Sequence, residues 1–160
     1  MNRLRLALAT ALIIPLVIIA AYVVVSGPAE TSSVNVHYTR FVVNGKSFAL
    51  TFIATNQTER EKGLMKTRIT NTTTELFVFP TADYYPFWMY TVNSSLDIIW
   101  LNTTGNVGSV VYLVKNVPGC SVAILCTNYQ PTAKANMVLE AKGGFADANS
   151  VVVGTRISFE

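Results

Sequence analysis

The sequence is poor in the residues from which most metal and catalytic sites are built. It contains one histidine, His37, and two cysteines, Cys120 and Cys126, among 160 residues. A blue-copper site needs two histidines and a cysteine, and a closed zinc site needs four ligands, so one chain can build neither. A serine or cysteine nucleophile would have only His37 as its base, and no Gly-x-Ser-x-Gly or phosphate-binding glycine sequence is present. We therefore expect no metal, no cofactor and no catalytic group of these classes.

Charged residues are also scarce. They make up 13% of the chain, about half of the ~25% that is usual in soluble domains. The apolar content of 51% excludes an intrinsically disordered protein and an acidic tail protein. The formal net charge of +3 depends partly on Arg3 and Arg5, and we find no clustered basic face of the kind that nucleic acid requires. The length allows about one domain core.

The longest apolar run extends from Leu6 to Val25, 20 residues without a charge. A helix of that length spans about 30 Å, the thickness of a bilayer hydrocarbon core. Arg3 and Arg5 precede the run and the next charge is Glu30, so the positive-inside rule predicts a cytoplasmic amino terminus. The predicted organisation has three parts: an N-terminal transmembrane anchor (1–25, span 6–25), a tether (26–33) and an extracytoplasmic domain (34–160).

One alternative and one further observation concern this exterior location. A signal peptide cleaved near Gly27–Ala29 would release a secreted domain, although the run is longer than the usual ~7–15 residues. Four Asn-x-Ser/Thr sequences are candidate N-glycosylation sites: Asn56, Asn71, Asn93 and Asn102. Because threonine is abundant, some of these sequences are expected by chance.

The pattern after the tether predicts a mainly β domain, a small barrel or sandwich of six to eight short strands with one or two short helices. Asn44-Gly45 between two β-rich runs predicts a hairpin. The capping-box spacing Thr58-x-x-Glu61, followed by Gly63, predicts a short helix over 58–62. A second helical turn is predicted over 145–149. The predicted strands are 34–43, 46–54, 75–79, 86–92, 96–101, 107–114, 135–141 and 155–159.

Six segments in order resemble one family: TNQTEREKGLM, LFVFP, FWM, LDIIWL, MVLEAKGG and VGTRISF. Over about residues 45–160 the chain is similar to the family called domain of unknown function 192. The resemblance implies a compact, mostly β domain, often secreted or membrane-anchored, with no established biochemical activity.

The chain departs from that family at two places. The family usually has Trp-Met-Lys-Asn-Thr where this sequence has Trp88-Met89-Tyr90-Thr91-Val92, which puts any site built from those polar groups in doubt. Lys66-Thr67 precede Arg68, where the family typically places an aromatic residue and then arginine. By contrast, Asp97 and Glu140 match their family positions.

Carboxylates and aromatic residues are the remaining candidates for a site. Asp97 lies in an apolar run, where an inward carboxylate must find hydrogen-bond donors. Asp97 and Glu140 either accept backbone N–H bonds and fix the fold, bind a ligand, or form an acid–base pair of the glycosidase kind. Trp88 and Tyr90 belong to an aromatic group that either packs in the core or offers a stacking platform for sugar or peptide.

The two cysteines lie in one long connection between predicted strands. If the domain is outside the cell, Cys120 and Cys126 are expected to form a disulfide; a reduced pair in a cytosolic protein is the alternative.

These observations favour a membrane-anchored extracytoplasmic domain that is a non-catalytic binding or structural module at the cell surface. Its expected partners are the membrane and a surface glycan or envelope protein, without nucleic acid. The alternative is a carboxylate-dependent hydrolase of surface glycans. In a hydrolase Asp97 and Glu140 should face one cleft, with oxygens about 5–10 Å apart.

Overall fold

The computed structural model of the chain describes residues 34–160. The predicted anchor and tether fall on residues 1–33, outside this range, and stay predictions. Among residues 34–160 no helix is both long enough and apolar enough to cross a bilayer. The described residues are mainly β, as the sequence predicted.

Eight strands form one mixed sheet that is curled into a half barrel. Their order across the sheet is β2-β1-β8-β6-β5-β7-β4-β3. Neighbouring strands are antiparallel except β3 and β4, which are parallel. The strands are β1 (Arg40–Val43), β2 (Lys46–Ala49), β3 (Phe52–Ala54), β4 (Thr74–Asp83), β5 (Leu96–Thr104), β6 (Val107–Val117), β7 (Ala135–Lys142) and β8 (Arg156–Phe159).

The curl follows from a short link between the two edges of the sheet. Only Leu50 and Thr51 separate β2, at one edge, from β3, at the other. Because three residue steps cover about 10 Å, the two edges must approach each other. The link is held on both sides: the Leu50 N–H donates to the Thr39 carbonyl (2.9 Å), and the Thr51 N–H donates to Thr74 Oγ1 (3.2 Å). The single strand predicted over 46–54 is therefore divided in two.

The predicted hairpin at Asn44-Gly45 is confirmed. β1 and β2 pair antiparallel with Val43 opposite Lys46, which leaves a two-residue turn. Both turn residues have positive φ, 49° at Asn44 and 76° at Gly45. This is the backbone that matches the twist of hairpin strands, and asparagine followed by glycine adopts it at little cost.

Alternation along the strands divides the core into two clusters. We call the face that collects side chains from nearly every strand the inner face; it includes Phe41, Leu76, Ile99, Leu139 and Phe159. The opposite, outer face is apolar on β4, β5 and β7, and it includes Phe77, Ile98, Trp100 and Val138. Because successive strand residues point to opposite faces, two residues of odd separation on one of these strands lie on opposite sides.

The first helix, α1 (Gln57–Lys62), has a different cap from the predicted one. Asn56 is the N-cap: its side chain accepts from the Glu59 N–H (3.0 Å), and the Glu59 side chain accepts from the Asn56 N–H (3.3 Å). The Thr58–Glu61 capping box was therefore wrong by two residues, because asparagine is as good an N-cap as threonine and begins the helix earlier. Gly63 ends the helix as predicted, with φ 46°. A second helix, α2 (Phe145–Ala148), agrees with the predicted turn.

The segment 86–92 is not a strand of the sheet, contrary to prediction. It lies over the outer face and makes only isolated bridges, Phe87 with Tyr129 and Tyr90 with Cys120. Alternate members still turn to the core, as in a strand, since Phe87 and Met89 are buried while Trp88 is exposed. The local pattern therefore predicted the alternation correctly, but strand partners are a tertiary property.

Candidate functional site

Two glutamates face each other on the outer face of the sheet. Glu75 on β4 and Glu140 on β7 are directly paired in the antiparallel register, and both are buried. Side chains at such positions start about 4.5–5.5 Å apart at Cβ. Glu75 Oε2 has no hydrogen-bond partner among the described residues. A buried acceptor without a partner is costly, and burial favours the protonated form of such a carboxyl group.

Burial dominates the electrostatics of the pair. It raises the pKa of Glu75 to about 8; the nearby Lys62 ammonium opposes this rise in part, and Glu59 adds to it. Burial also raises the pKa of Glu140 well above its ordinary value, and the proximity of Glu75 contributes in the same direction. At neutral pH Glu75 is therefore mostly protonated and offers an O–H donor beside a carbonyl acceptor, and the raised pKa of Glu140 favours the same form.

A cleft of about 300 Å³ opens above Glu140, whereas Glu75 does not belong to its lining. Glu140 lies in its lining together with side chains of α1 and of the outer face. One wall is a stack in which the Arg60 guanidinium lies 5.1 Å from the Phe79 ring centroid and Phe79 lies 3.6 Å from the Tyr85 centroid. Arg60 is held there because it donates to the Val78 carbonyl (3.0 Å).

Gly63 brings the end of α1 close to the glutamates. A Cβ atom at this position would lie 3.3 Å from the Phe77 ring and 3.8 Å from Glu75 Oε2. Its φ of 46° is also in the region that favours glycine. Glycine at the helix end therefore lets the backbone cover Glu75 while the cleft stays open beside it.

Asp97 lies on the other side of the sheet from Glu140. It is opposite Ala141 on β7, so its side chain points to the inner face while Glu140 points to the outer face. Asp97 Oδ1 accepts from the backbone N–H of Asn116 (2.7 Å) and Gly144 (3.2 Å), and Oδ2 accepts from Ala146 (2.7 Å). The considered Asp97–Glu140 acid–base pair does not form, and Asp97 instead ties β5 to the end of β6 and to α2.

The aromatic candidates are divided between the cleft and its surroundings. Trp88 is 45% exposed and lines the cleft. Tyr90 is half-buried, with its ring 5.4 Å from that of Trp88, and is not part of the lining. Trp100, buried below, donates from Nε1 to the Tyr85 carbonyl (2.9 Å) and so fixes the wall.

Cys120 and Cys126 form the predicted disulfide, with their Cα atoms 5.6 Å apart. The bridge closes a small ring that contains a 3₁₀ turn, Ala123–Leu125. Backbone bonds fasten the ring to the segment 86–92, since the Cys120 N–H donates to the Met89 carbonyl (3.0 Å) and the Thr91 N–H donates to the Cys120 carbonyl (2.7 Å).

The candidate glycosylation sites differ in their surroundings. Asn71, Asn93 and Asn102 are exposed, whereas Asn56 is half-buried and serves as the helix cap. No cluster of three or more histidine, cysteine, aspartate or glutamate side chains is placed to hold a metal ion within residues 34–160.

The sequence indicated Glu75 only as the first residue of a predicted strand and did not indicate that it pairs with Glu140. Its spacing from Phe77 and Phe79 already places the three on one face. Its pairing with Glu140, 65 residues later in sequence, depends on the β4–β7 register.

The fold and site together describe a curled β-sheet domain with a carboxyl pair beneath an aromatic cleft on its outer face. The family model DUF192, described as "Uncharacterized ACR", matches residues 40–159. The chain therefore belongs to the domain of unknown function 192 family, as its motifs predicted.

Two solved structures resemble the chain. A proposed transcription regulator from Sinorhizobium meliloti 1021 has a TM-score of 0.60 and 21% identity, covering 79% of this chain and 98% of its own. A protein of unknown function from Novosphingobium aromaticivorans DSM 12444 has a TM-score of 0.61 and 22% identity, covering 82% and 94%. At these identities the similarity is one of fold. No curated protein matches the chain.

Proposed function

We propose that the chain is a membrane-anchored, extracytoplasmic and non-catalytic binding module whose cleft holds a sugar residue of a surface glycan. The observation that carries the proposal is the buried Glu140 in the lining of an aromatic cleft, paired directly with Glu75, whose Oε2 has no partner among the described residues. A hydroxyl group bound in the cleft would exchange hydrogen bonds with Glu140, the member of the pair that lines it.

The chemistry of the lining fits a small polyhydroxylated ring. Protonated carboxyl groups both donate to and accept from hydroxyl groups. Trp88 and Tyr85 offer flat apolar surfaces against which the C–H face of a sugar packs. The volume, about 300 Å³, lies at the lower limit of ligand pockets, which favours one ring over an extended chain.

The second candidate is the glycan hydrolase, now with Glu75 and Glu140 as its carboxyl pair. Their direct cross-strand pairing is compatible with the ~5–5.5 Å separation of carboxyl groups in retaining glycosidases. A retaining mechanism also needs one of the two groups ionised as nucleophile. Because the pKa of both is raised, the pair is better suited to binding than to nucleophilic attack.

Saccharide binding to the full chain tests this proposal. We would screen mono- and oligosaccharides by the change in tryptophan fluorescence and measure the affinities of those that bind by isothermal titration calorimetry, which does not depend on Trp88. Trp88→Ala should weaken binding about tenfold or more, because it removes the stacking surface. Tyr84→Ala is the matched control: Tyr84 is also 45% exposed but lies outside the cleft lining.

The outcomes separate the candidates. Equal affinities in the two variants, or no saccharide bound, would contradict the binding proposal. Release of new reducing ends over time, abolished by Glu75→Gln, would support the hydrolase instead.

The exterior location has its own test. Protease added to intact cells should remove the domain and leave a protected amino-terminal fragment; resistance until lysis would contradict the orientation. If the sequons are used, a peptide map should show glycans first at the exposed Asn71, Asn93 and Asn102, since Asn56 is engaged in its cap.

A further inference from the structure

The disulfide ring, residues 120–126, carries an exposed apolar tip. Ile124 is 89% exposed and Leu125 is 75% exposed, and Val122 beside them is also exposed. Single exposed apolar side chains are common, but three within four residues on one small ring form a local apolar surface. The inner and outer core clusters of residues 34–160 do not include them.

The tip is held away from the domain rather than left loose. The disulfide closes the ring, the Tyr90–Cys120 bridge fixes its base, and the Leu125 N–H donates to the Val122 carbonyl (2.9 Å) within the turn. An apolar surface that is fixed before it meets its partner loses little conformational freedom on binding. The ring therefore holds these side chains in a fixed, exposed position.

The surrounding sequence lacks charge. No Asp, Glu, Lys, Arg or His occurs between Lys115 and Lys134. The two flanking lysines already have acidic neighbours: Lys115 pairs with Asp147 (2.5 Å) and Lys134 lies 3.7 Å from Asp83. This stretch therefore contains no carboxylate that would repel an anionic lipid headgroup. It also contains no cluster of unpaired cations, which an acidic protein partner would require.

We propose that the ring inserts its tip, Val122, Ile124 and Leu125, into the outer surface of the bilayer that carries the anchor. The proposal rests on the membrane anchoring in the proposed function and is independent of the cleft. Eight residues, 26–33, separate the apolar run from the described domain, and even fully extended they span only about 28 Å. A domain on so short a tether stays next to lipid, so a second, weak apolar contact with the same membrane acts at high effective concentration.

A pair of tryptophan variants tests the contact in the full chain, reconstituted in liposomes with the domain outside. Ile124→Trp places a fluorophore at the tip. Val153→Trp is the matched control: Val153 is 60% exposed, and its neighbour Gly154 donates to Val110 near the start of β6, whereas the ring follows the end of β6. Lipids brominated in their acyl chains quench tryptophan that enters the bilayer.

We expect brominated lipid to quench the added fluorescence of Ile124→Trp at least twice as strongly as that of Val153→Trp. Equal quenching in liposomes that carry the protein through a flotation gradient would overturn ring insertion and leave the anchor intact. Protein that fails to float with the liposomes would contradict both the anchor and the ring contact. Neither result bears on saccharide binding, which is measured separately.

Discussion

Glu75 and Glu140 are paired across β4 and β7 with both side chains on the buried outer face, and one oxygen of Glu75 has no partner within residues 34–160. Such a pair makes the free energy of unfolding depend on pH, because the two groups ionise more readily in the unfolded chain than in the folded one.

Stability should therefore fall as the pH rises. With a pKa of about 8 in the folded chain and 4.5 as its ordinary value, Glu75 holds a proton that the unfolded chain loses above pH 4.5. The contribution of Glu75 to the free energy of unfolding is greatest below about pH 4.5 and decreases up to about pH 8, by at most about 1.4 kcal/mol per pH unit. Glu75→Gln should flatten the slope measured by urea unfolding. Glu61→Gln, an exposed glutamate of α1, should leave it unchanged; equal slopes in both variants would refute this account.

Asp97 should matter for stability rather than for binding. Asp97→Asn replaces one of the two oxygens that accept three backbone N–H groups, so at least one buried donor loses its partner. We expect a loss of about 3 kcal/mol in the free energy of unfolding. Asp147→Asn removes only an exposed ion pair with Lys115 and should cost less than about 1 kcal/mol. Similar losses in the two variants would contradict the structural role of Asp97.

The helix cap separates the observed start of α1 from the predicted one. Asn56→Ala removes the acceptor for the Glu59 N–H and should cost about 1 kcal/mol. Thr58→Ala should be nearly neutral, since Thr58 is exposed inside the helix. Both substitutions destroy the same sequon, so the comparison holds whether or not Asn56 is glycosylated. A larger effect at Thr58 would restore the predicted capping box.

Thr91 has a backbone conformation that suits asparagine, the usual residue of the family at this position, better than threonine. Its φ is 56°, a conformation that β-branched residues rarely adopt and asparagine tolerates, and its buried Oγ1 has no partner in the described part of the chain. The family usually has asparagine here. Thr91→Asn should therefore raise the free energy of unfolding by about 1 kcal/mol. Thr91→Ala, which removes the hydroxyl but not the preference against positive φ, should gain less.

The disulfide should add modestly to stability. Its ring of seven residues, Cys120 to Cys126, gives about 2.4 kcal/mol in the chain-entropy expression. The double variant Cys120→Ser, Cys126→Ser should lose about that much. Non-reducing mass spectrometry of the native protein checks the bond itself: a mass 2 Da above the bridged form, with both thiols open to alkylation, would show that the bond is absent in the cell.

The sequence alone determined the local features. The hairpin at Asn44-Gly45, the end of α1 at Gly63 and the pairing of two cysteines six positions apart all follow from contacts between near neighbours. Each depends on backbone preferences or ring closure within a few residues, which a sequence states directly.

Only the tertiary structure decided which distant residues meet. Strand register gave Glu140 a partner in Glu75 and placed Asp97 on the opposite face, whereas the acid–base pair considered from the sequence was Asp97 with Glu140. A shift of register by one residue would reverse these relationships, because side chains alternate between faces along a strand. The site of this protein therefore depends on how β4, β5 and β7 are aligned, and this alignment cannot be deduced from the composition or from the spacing of residues in the sequence.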